Sequence, residues 1–350
     1  MEILAEYGLF LAKVVTFVVA ALIVVAMVMS AAQSARGQED EGELQVVRVN
    51  DQLRDNRETL ESHLHDGAGR KRWLKDLRRN RKKEKKAARK RSDDGSQRRG
   101  RLYVVDFQGD MKASQTGSLR RCITAILGVA EPEHDEVMVR LESAGGMVHS
   151  YGYAAAQLDR IRRAGLPLTA CVDKVAASGG YMMACVADRI IASPFAMLGS
   201  IGVVAQLPNV HRLLKRHDVD FEVLTAGEYK RTMTVFGENT EKGRQKFTED
   251  LEQTHQLFKD YVSEHRPAVD IDSVATGEVW FGRQALDVNL ADELKTSDQV
   301  MSEACDQRDV LLVRYERRRT LPEKLGLSAA SAVESGVMKG VEWIRAGRFQ

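Results

Sequence analysis

Residues 174–183 read KVAASGGYMM. Ser178 stands between small apolar residues and a glycine pair. The segment before it, PLTACVD (167–173), reads as a buried strand, and the segment after it, DRIIAS (188–193), reads as another. A serine in that setting opens a helix directly after a strand. Its hydroxyl then has two possible uses. It caps the helix, as serine often does at such a position. Or it is a nucleophile, in which case a base elsewhere in the chain takes its proton.

Working outward, LYVVDF (102–107) and VMVRLES (137–143) are further strand candidates. The apolar spacing of SLRRCITAILGV (118–129) and YGYAAAQLDRIRRAG (151–165) predicts helices between them. Strand and helix alternate, so the fold class is α/β with a mostly parallel sheet covered by helices. A long amphipathic stretch, Glu241 to His265, follows. Near the end, Val333, Val337, Val341 and Ile344 recur at helical spacing. No repeat of 20–50 residues occurs, which excludes a solenoid.

The net charge of +2 conceals a strong asymmetry. Between Arg70 and Arg91 there are 14 Lys and Arg against two acids, a local charge of +12, which leaves −10 for the remaining residues. The run suits a solvated helix near an anionic lipid surface. Nucleic-acid binding is disfavoured, because Trp73 is the one aromatic in the run. The four cysteines show no C-x-x-C spacing and read as buried thiols. Val14 to Ala32 is 19 residues without a charge. As a helix at ~1.5 Å per residue it spans roughly 28 Å, enough for a hydrocarbon core. Acidic Glu2 and Glu6 before it, and its length, favour an anchor over a cleaved leader. Arg36, Arg48, Arg54, Arg57 and the basic arm follow it, so the positive-inside rule puts the body on the cytoplasmic side. The chain thus divides into an anchor segment (1–32), a charged arm (33–100), a compact domain (101–300) and a C-terminal strand and helix (301–350).

Two glycine-bearing turns follow strands: Ser143-Ala144-Gly145-Gly146-Met147 and Ala177-Ser178-Gly179-Gly180. Glycines there leave backbone N–H groups unobstructed, and a helix N-terminus adds the positive end of its dipole. Gly179 with Gly145 or Gly146 can therefore form an oxyanion hole. Two bases compete. His149, just past the glycine pair, is the best placed of eight histidines. Lys230, in AGEYKR after the strand-like FEVLT (221–225), is the other. A lysine base must be neutral, which requires burial to bring a pKa of ~10.4 down toward 7–8.

The segments SAGGMV, AASGGYMMACVADRI, GSIGV (199–203) and GEYKR occur in one order and resemble the S49 family of serine peptidases, the signal-peptide peptidase A group. The N-terminal EYGLFLAKVV followed by a polar, basic region resembles bacterial inner-membrane members of that family. The resemblance implies a Clp/crotonase-like fold of stacked β-β-α units behind the transmembrane helix. It implies a Ser-Lys dyad, with Ser178 as nucleophile, Lys230 as general base and Ser200 orienting the lysine, and an oxyanion hole from Gly145 or Gly146 and Gly179. It further implies peptide substrates, no cofactor or metal, and a homo-oligomer whose sites combine serine and lysine from neighbouring subunits. The family's S-P-G-G is S-A-G-G here, so Ala144 replaces a turn-stiffening proline. A crotonase-like acyl-CoA enzyme, with Glu142 as the nearest carboxylate, and a catalytically silent membrane scaffold are the competing classes.

Overall fold

The computed structural model describes residues 42–93 and 99–317. A compact unit runs from Leu44 to Tyr315. The expected membrane span (14–32) and the amphipathic tail (333–344) lie outside the described residues. Among the described residues, no helix is long and apolar enough to cross a membrane.

In chain order the elements are β1 (Gly42–Arg48), α1 (Val49–His63), α2 (Gly67–Asp93), β2 (Arg101–Gln108), α3 (Thr116–Leu127), β3 (Glu136–Glu142), α4 (Val148–Arg163), β4 (Leu168–Val172), β5 (Val175–Ala177), α5 (Gly179–Ala184), β6 (Arg189–Ala192), β7 (Met197–Gly199), α6 (His211–Arg216), α7 (Glu241–His265), α8 (Ile271–Val274), β8 (Val279–Phe281), α9 (Gly282–Asp287), β9 (Glu293–Leu294), α10 (Ser297–Gln307) and β10 (Asp309–Arg317). Seven strands form one sheet in the order β1-β10-β2-β3-β4-β6-β9, and β5-β7-β8 form a second. From β10 to β9 the large sheet pairs in parallel. The chain is a mixed α/β fold.

Parallel strands covered on both faces need apolar residues at every position. The central strands meet that demand, and their alternation sorts side chains to two sides. Tyr103, Val105, Phe107, Val137, Val139 and Leu141 enter one core with the helices α3 and α4. Leu102, Val104, Met138, Val310 and Leu312 enter another with Val49 of α1 and Met301 of α10. On α3, Leu119, Cys122, Ile123 and Ile126 are buried; on α4, Tyr151, Ala154, Ala155, Leu158 and Ile161 are. These are the i, i+3, i+4 positions of one helix face. Each fully buried Ile, Leu or Phe side chain contributes roughly 1.5–3 kcal/mol.

One unit recurs along the chain: a strand of the large sheet followed by a short piece of the small one, which in the first two cases leads into a helix. β3 leads to Ser143, which bridges in parallel to Ala176, and then to α4. β4 leads to β5 and α5. β6 leads to β7, which pairs in parallel with β5, and β8 closes the small sheet antiparallel to β7.

Three features depart from the sequence reading. The arm before residue 100 contains a strand, β1, at the sheet edge beside β10. FEVLT is exposed and forms no strand. The stretch 202–240 is largely exposed and holds only the short α6, with Val204 80% and Leu224 90% accessible. By contrast, α7 has the bounds of the amphipathic stretch, opened by Thr240, whose side chain accepts from Gly243 N–H at 3.1 Å.

Arg266, buried at the end of α7, donates to both carboxylate oxygens of Asp292 (2.6 and 2.9 Å) and to Asn289 C=O. Asp292 also accepts Ile190 N–H of β6 at 2.7 Å. Asp292→Ala leaves a buried cation without its partner. The expected loss is about 3–5 kcal/mol of stability, read as a lowered urea midpoint of the full chain in detergent.

Candidate active site

Ser178 follows the last residue of β5, where Ala177 pairs with Gly199 of β7. Its N–H donates to Gly199 C=O at 2.8 Å, and its own C=O accepts Met182 N–H at 3.0 Å, starting α5. The backbone is left-handed, with φ 51° and ψ −120°. For a residue with a side chain this costs of order 1–3 kcal/mol and persists only where surrounding structure imposes it. Ser178 occupies the helix-capping position, yet its hydroxyl makes no capping hydrogen bond. The side chain is half-buried.

The imposing structure is a set of close backbone approaches. Gly145 has φ 91°, and a β-carbon on it would lie 2.7 Å from Gly179 N and 2.8 Å from both Ala177 O and Ser178 Cβ. The SAGGM turn therefore rests directly on the ASGG turn. Gly146 abuts the Met111 backbone, Gly179 the Tyr151 ring, and Gly180 the backbone of Ser143. No side chain larger than hydrogen fits at these four places without movement.

The backbone donors differ in commitment. Gly145 N–H donates to Ser143 Oγ at 3.1 Å. Gly146 N–H and Gly179 N–H form no hydrogen bond among the described residues. Gly179 is the first residue of α5, so it has no intrahelical acceptor.

Ser200 is the second residue the fold brings to this place. Because Ala177 pairs with Gly199 in a parallel ladder, Ser178 and Ser200 emerge side by side from β5 and β7. Ser200 is also left-handed (φ 49°), half-buried, and donates its N–H to Glu278 C=O at 2.7 Å. His255 of α7, assigned no role from sequence, lies with Nε2 3.2 Å from Ile201 O, bringing α7 against the residue after Ser200.

The two candidate bases are not brought into contact with Ser178 within one chain. Lys230 lies in an exposed turn closed by its N–H to Gly227 C=O at 3.2 Å. His149 is exposed in the first turn of α4. Glu142 pairs with Lys174 at 3.0 Å on the surface.

Sequence reasoning missed Asp110, Ser143 and Tyr151. Tyr151 Oη lies 2.6 Å from Ser143 Oγ and donates to Asp110 C=O at 2.8 Å. Burial raises the Tyr151 phenol, so it stays a neutral donor. The helical spacing of Tyr151 marked it as core, but nothing local signals its hydroxyl partner. Burial also raises the thiols of Cys122 to about 11 and Cys171 to about 12, and Cys185 further still, so none is a ready thiolate. Among the described residues, no group of His, Cys, Asp or Glu is arranged to hold a metal.

The model for peptidase family S49 matches residues 160–311, and the S49 N-terminal model matches residues 2–158. The probable protease SohB of Haemophilus influenzae is 49% identical over 330 residues, spanning 94% of this chain and 93% of that protein. The chain belongs to peptidase family S49. As an S49 member it is a protease. The probable protease SohB of Buchnera aphidicola subsp. Schizaphis graminum is 41% identical over 90% of this S49 chain and 91% of its own length. Among solved structures, the 1510-N membrane-bound stomatin-specific protease in complex with a substrate peptide aligns at 12% identity and a TM-score of 0.40, covering 65% of this chain and 97% of that one.

The packing of Gly145 makes a direct prediction for this S49 protease. Gly145→Ala forces a β-carbon against Ser178 and Gly179 in a strained backbone. Proteolysis should fall by ~100-fold, the scale of a misplacement of about 1 Å at a reacting group. Circular dichroism should show the secondary structure retained.

Proposed function

We propose that this S49 protease is a membrane-anchored serine endopeptidase that cleaves unstructured or membrane-derived peptides through an acyl-enzyme. Ser178 Oγ attacks the scissile carbonyl carbon and its proton passes to the neutral amine of Lys230. Gly146 N–H and Gly179 N–H hold the oxyanion. Lys230 then gives the proton to the leaving amine, whose C–N bond breaks. Water, deprotonated by Lys230, then adds to the acyl carbon, the C–O bond to Ser178 breaks, and the lysine returns the proton to Ser178 Oγ. Ser200, beside Ser178, orients the lysine.

One observation carries this reading. The Ser178 hydroxyl is held in a strained turn with no capping role, against two glycine turns that present unpartnered N–H groups. Such a turn is a costly way to cap a helix and an effective way to present a nucleophile. Gly145 spends its N–H on Ser143, which favours Gly146 as the second donor. The recurring strand, short strand and helix support a Clp/crotonase-like reading of the fold, with the peptidase chemistry in residues 101–300. For the acyl-CoA alternative, the nearest carboxylate, Glu142, is a surface residue paired with Lys174.

The exposed position of Lys230 supports a site shared between subunits. The stretch 202–240 presents apolar side chains to solvent in one chain, and a second copy covering it would also supply the desolvation that a neutral lysine needs. Met111 and Met147, exposed beside Gly146, favour apolar substrate side chains. Residues 14–32 serve as the anchor in a bacterial inner membrane. The charge distribution puts the body on the cytoplasmic side, with the basic helix α2 toward anionic lipid.

The test is turnover of a fluorogenic peptide by the detergent-solubilised full chain. Ser178→Ala and Lys230→Ala should each lower kcat by ~10⁴-fold or more, while His149→Ala retains activity. A dead His149→Ala with an active Lys230→Ala would overturn the lysine assignment. Co-expressing the two inactive chains should restore part of the activity. No recovery in verified mixed oligomers would overturn the shared site.

A further inference from the structure

Behind the two glycine turns runs a buried line of hydroxyls. Tyr151 Oη donates to Asp110 C=O at 2.8 Å. Its single proton is thereby used, so the 2.6 Å contact with Ser143 is a bond from Ser143 Oγ–H to Tyr151 Oη. Ser143 Oγ in turn accepts Gly145 N–H at 3.1 Å. Gly145 N–H, Ser143 Oγ–H, Tyr151 Oη–H and Asp110 C=O form one directed chain, with every proton and its acceptor accounted for. Tyr151 is 0% and Ser143 2% exposed, so water does not compete for these bonds.

The chain ties the Asp110 turn to the Ser143–Gly145 turn through Tyr151, which lies 41 residues from Asp110 and eight from Ser143. At one end, the Asp110 carbonyl belongs to a turn tied by the Asp110 carboxylate to Ser114 N–H (2.8 Å) and Lys112 N–H (3.1 Å). The next residue of that turn, Met111, accepts Met147 N–H at 2.9 Å and abuts Gly146. At the other end is the Gly145 amide. Between them, the Tyr151 ring abuts Gly179, with its Cβ and Cδ2 2.8 Å from where a glycine β-carbon would stand. One side chain thus touches the Ser178-Gly179 turn with its ring and holds the Gly145-Gly146 turn through its hydroxyl. Gly109 has no side chain at the one place where a β-carbon would overlap both hydroxyls.

We propose that Ser143 and Tyr151 are positioning residues that set the distance between the Gly146 and Gly179 amides. By drawing Gly145 N–H inward, the relay rotates the following peptide so that Gly146 N–H faces the substrate oxygen. Ala144 and the two glycines after it give this turn no local stiffening, and the relay supplies that rigidity from tertiary structure. The inference rests on the peptidase reading of Ser178.

A loose donor pair weakens transition-state binding and leaves substrate binding nearly untouched. Tyr151→Phe keeps the ring and deletes the hydroxyl. In the full-length protease it should lower kcat about 10-fold with KM within about twofold. Affinity for a peptide aldehyde, which forms a tetrahedral adduct, should fall by the same factor as kcat/KM. Ser143→Ala should do the same, and the double variant should be no worse than either single one, because one chain is cut in each case. The relay is overturned if Tyr151→Phe keeps wild-type kcat, if KM rises in step with kcat loss, if the two losses multiply, or if the variant fails to fold. Activity in a parallel Ser178→Ala chain would instead overturn the peptidase reading itself, so the two failures are distinguishable.

Discussion

The site depends on the parallel pairing of two three-residue strands, β5 and β7. Ala177 pairs with Gly199, and the Ser178 N–H to Gly199 C=O bond extends that ladder by one residue. Both chains then leave the sheet through left-handed serines. A register slip of one residue would turn every side chain to the opposite face. The apolar layer below therefore guards the site above it. Leu198, opposite Trp280 in the β7–β8 ladder, is fully buried, so the strand that presents Ser200 is held from beneath.

Small residues do the rest of the work by omission. Gly145, Gly146, Gly179 and Gly180 let backbones approach to distances that any β-carbon would block. In exchange the chain accepts two strained serines and a buried hydroxyl chain. The energetic logic is consistent: strain at Ser178 and Ser200 persists because the large sheet, buried on both faces, supplies the stability that the small sheet cannot. The proposed base, Lys230, lies on the opposite kind of surface, an open stretch rich in exposed apolar side chains. The proposal that a second copy completes the site rests on this contrast between a packed serine turn and an open lysine turn.

Much of this was legible in the residues themselves. The strands LYVVDF, VMVRLES, PLTACVD and DRIIAS are continuous apolar runs, and continuous runs in an alternating pattern mean a covered parallel sheet. Glu241–His265 carried its helical period and a capping threonine, so its bounds were readable too. β1 was not readable: GELQVVR is an exposed edge strand, and its composition matches that of the charged linker around it. FEVLT misled for the converse reason. Its β-branched and aromatic residues suit a strand, but among the described residues no partner strand reaches it.

By itself the sequence determined the fold class, the serine in its glycine-rich turn and the family to which the protease belongs, because periodicity and small-residue spacing are local and each position reports them. Only the tertiary structure decided that Ser200 stands beside Ser178, that Gly145 faces inward, and that Tyr151 links two turns through Ser143. Those facts depend on strand register and on contacts between residues far apart in the chain. No local pattern encodes that the Tyr151 phenol will meet a backbone carbonyl 41 residues away.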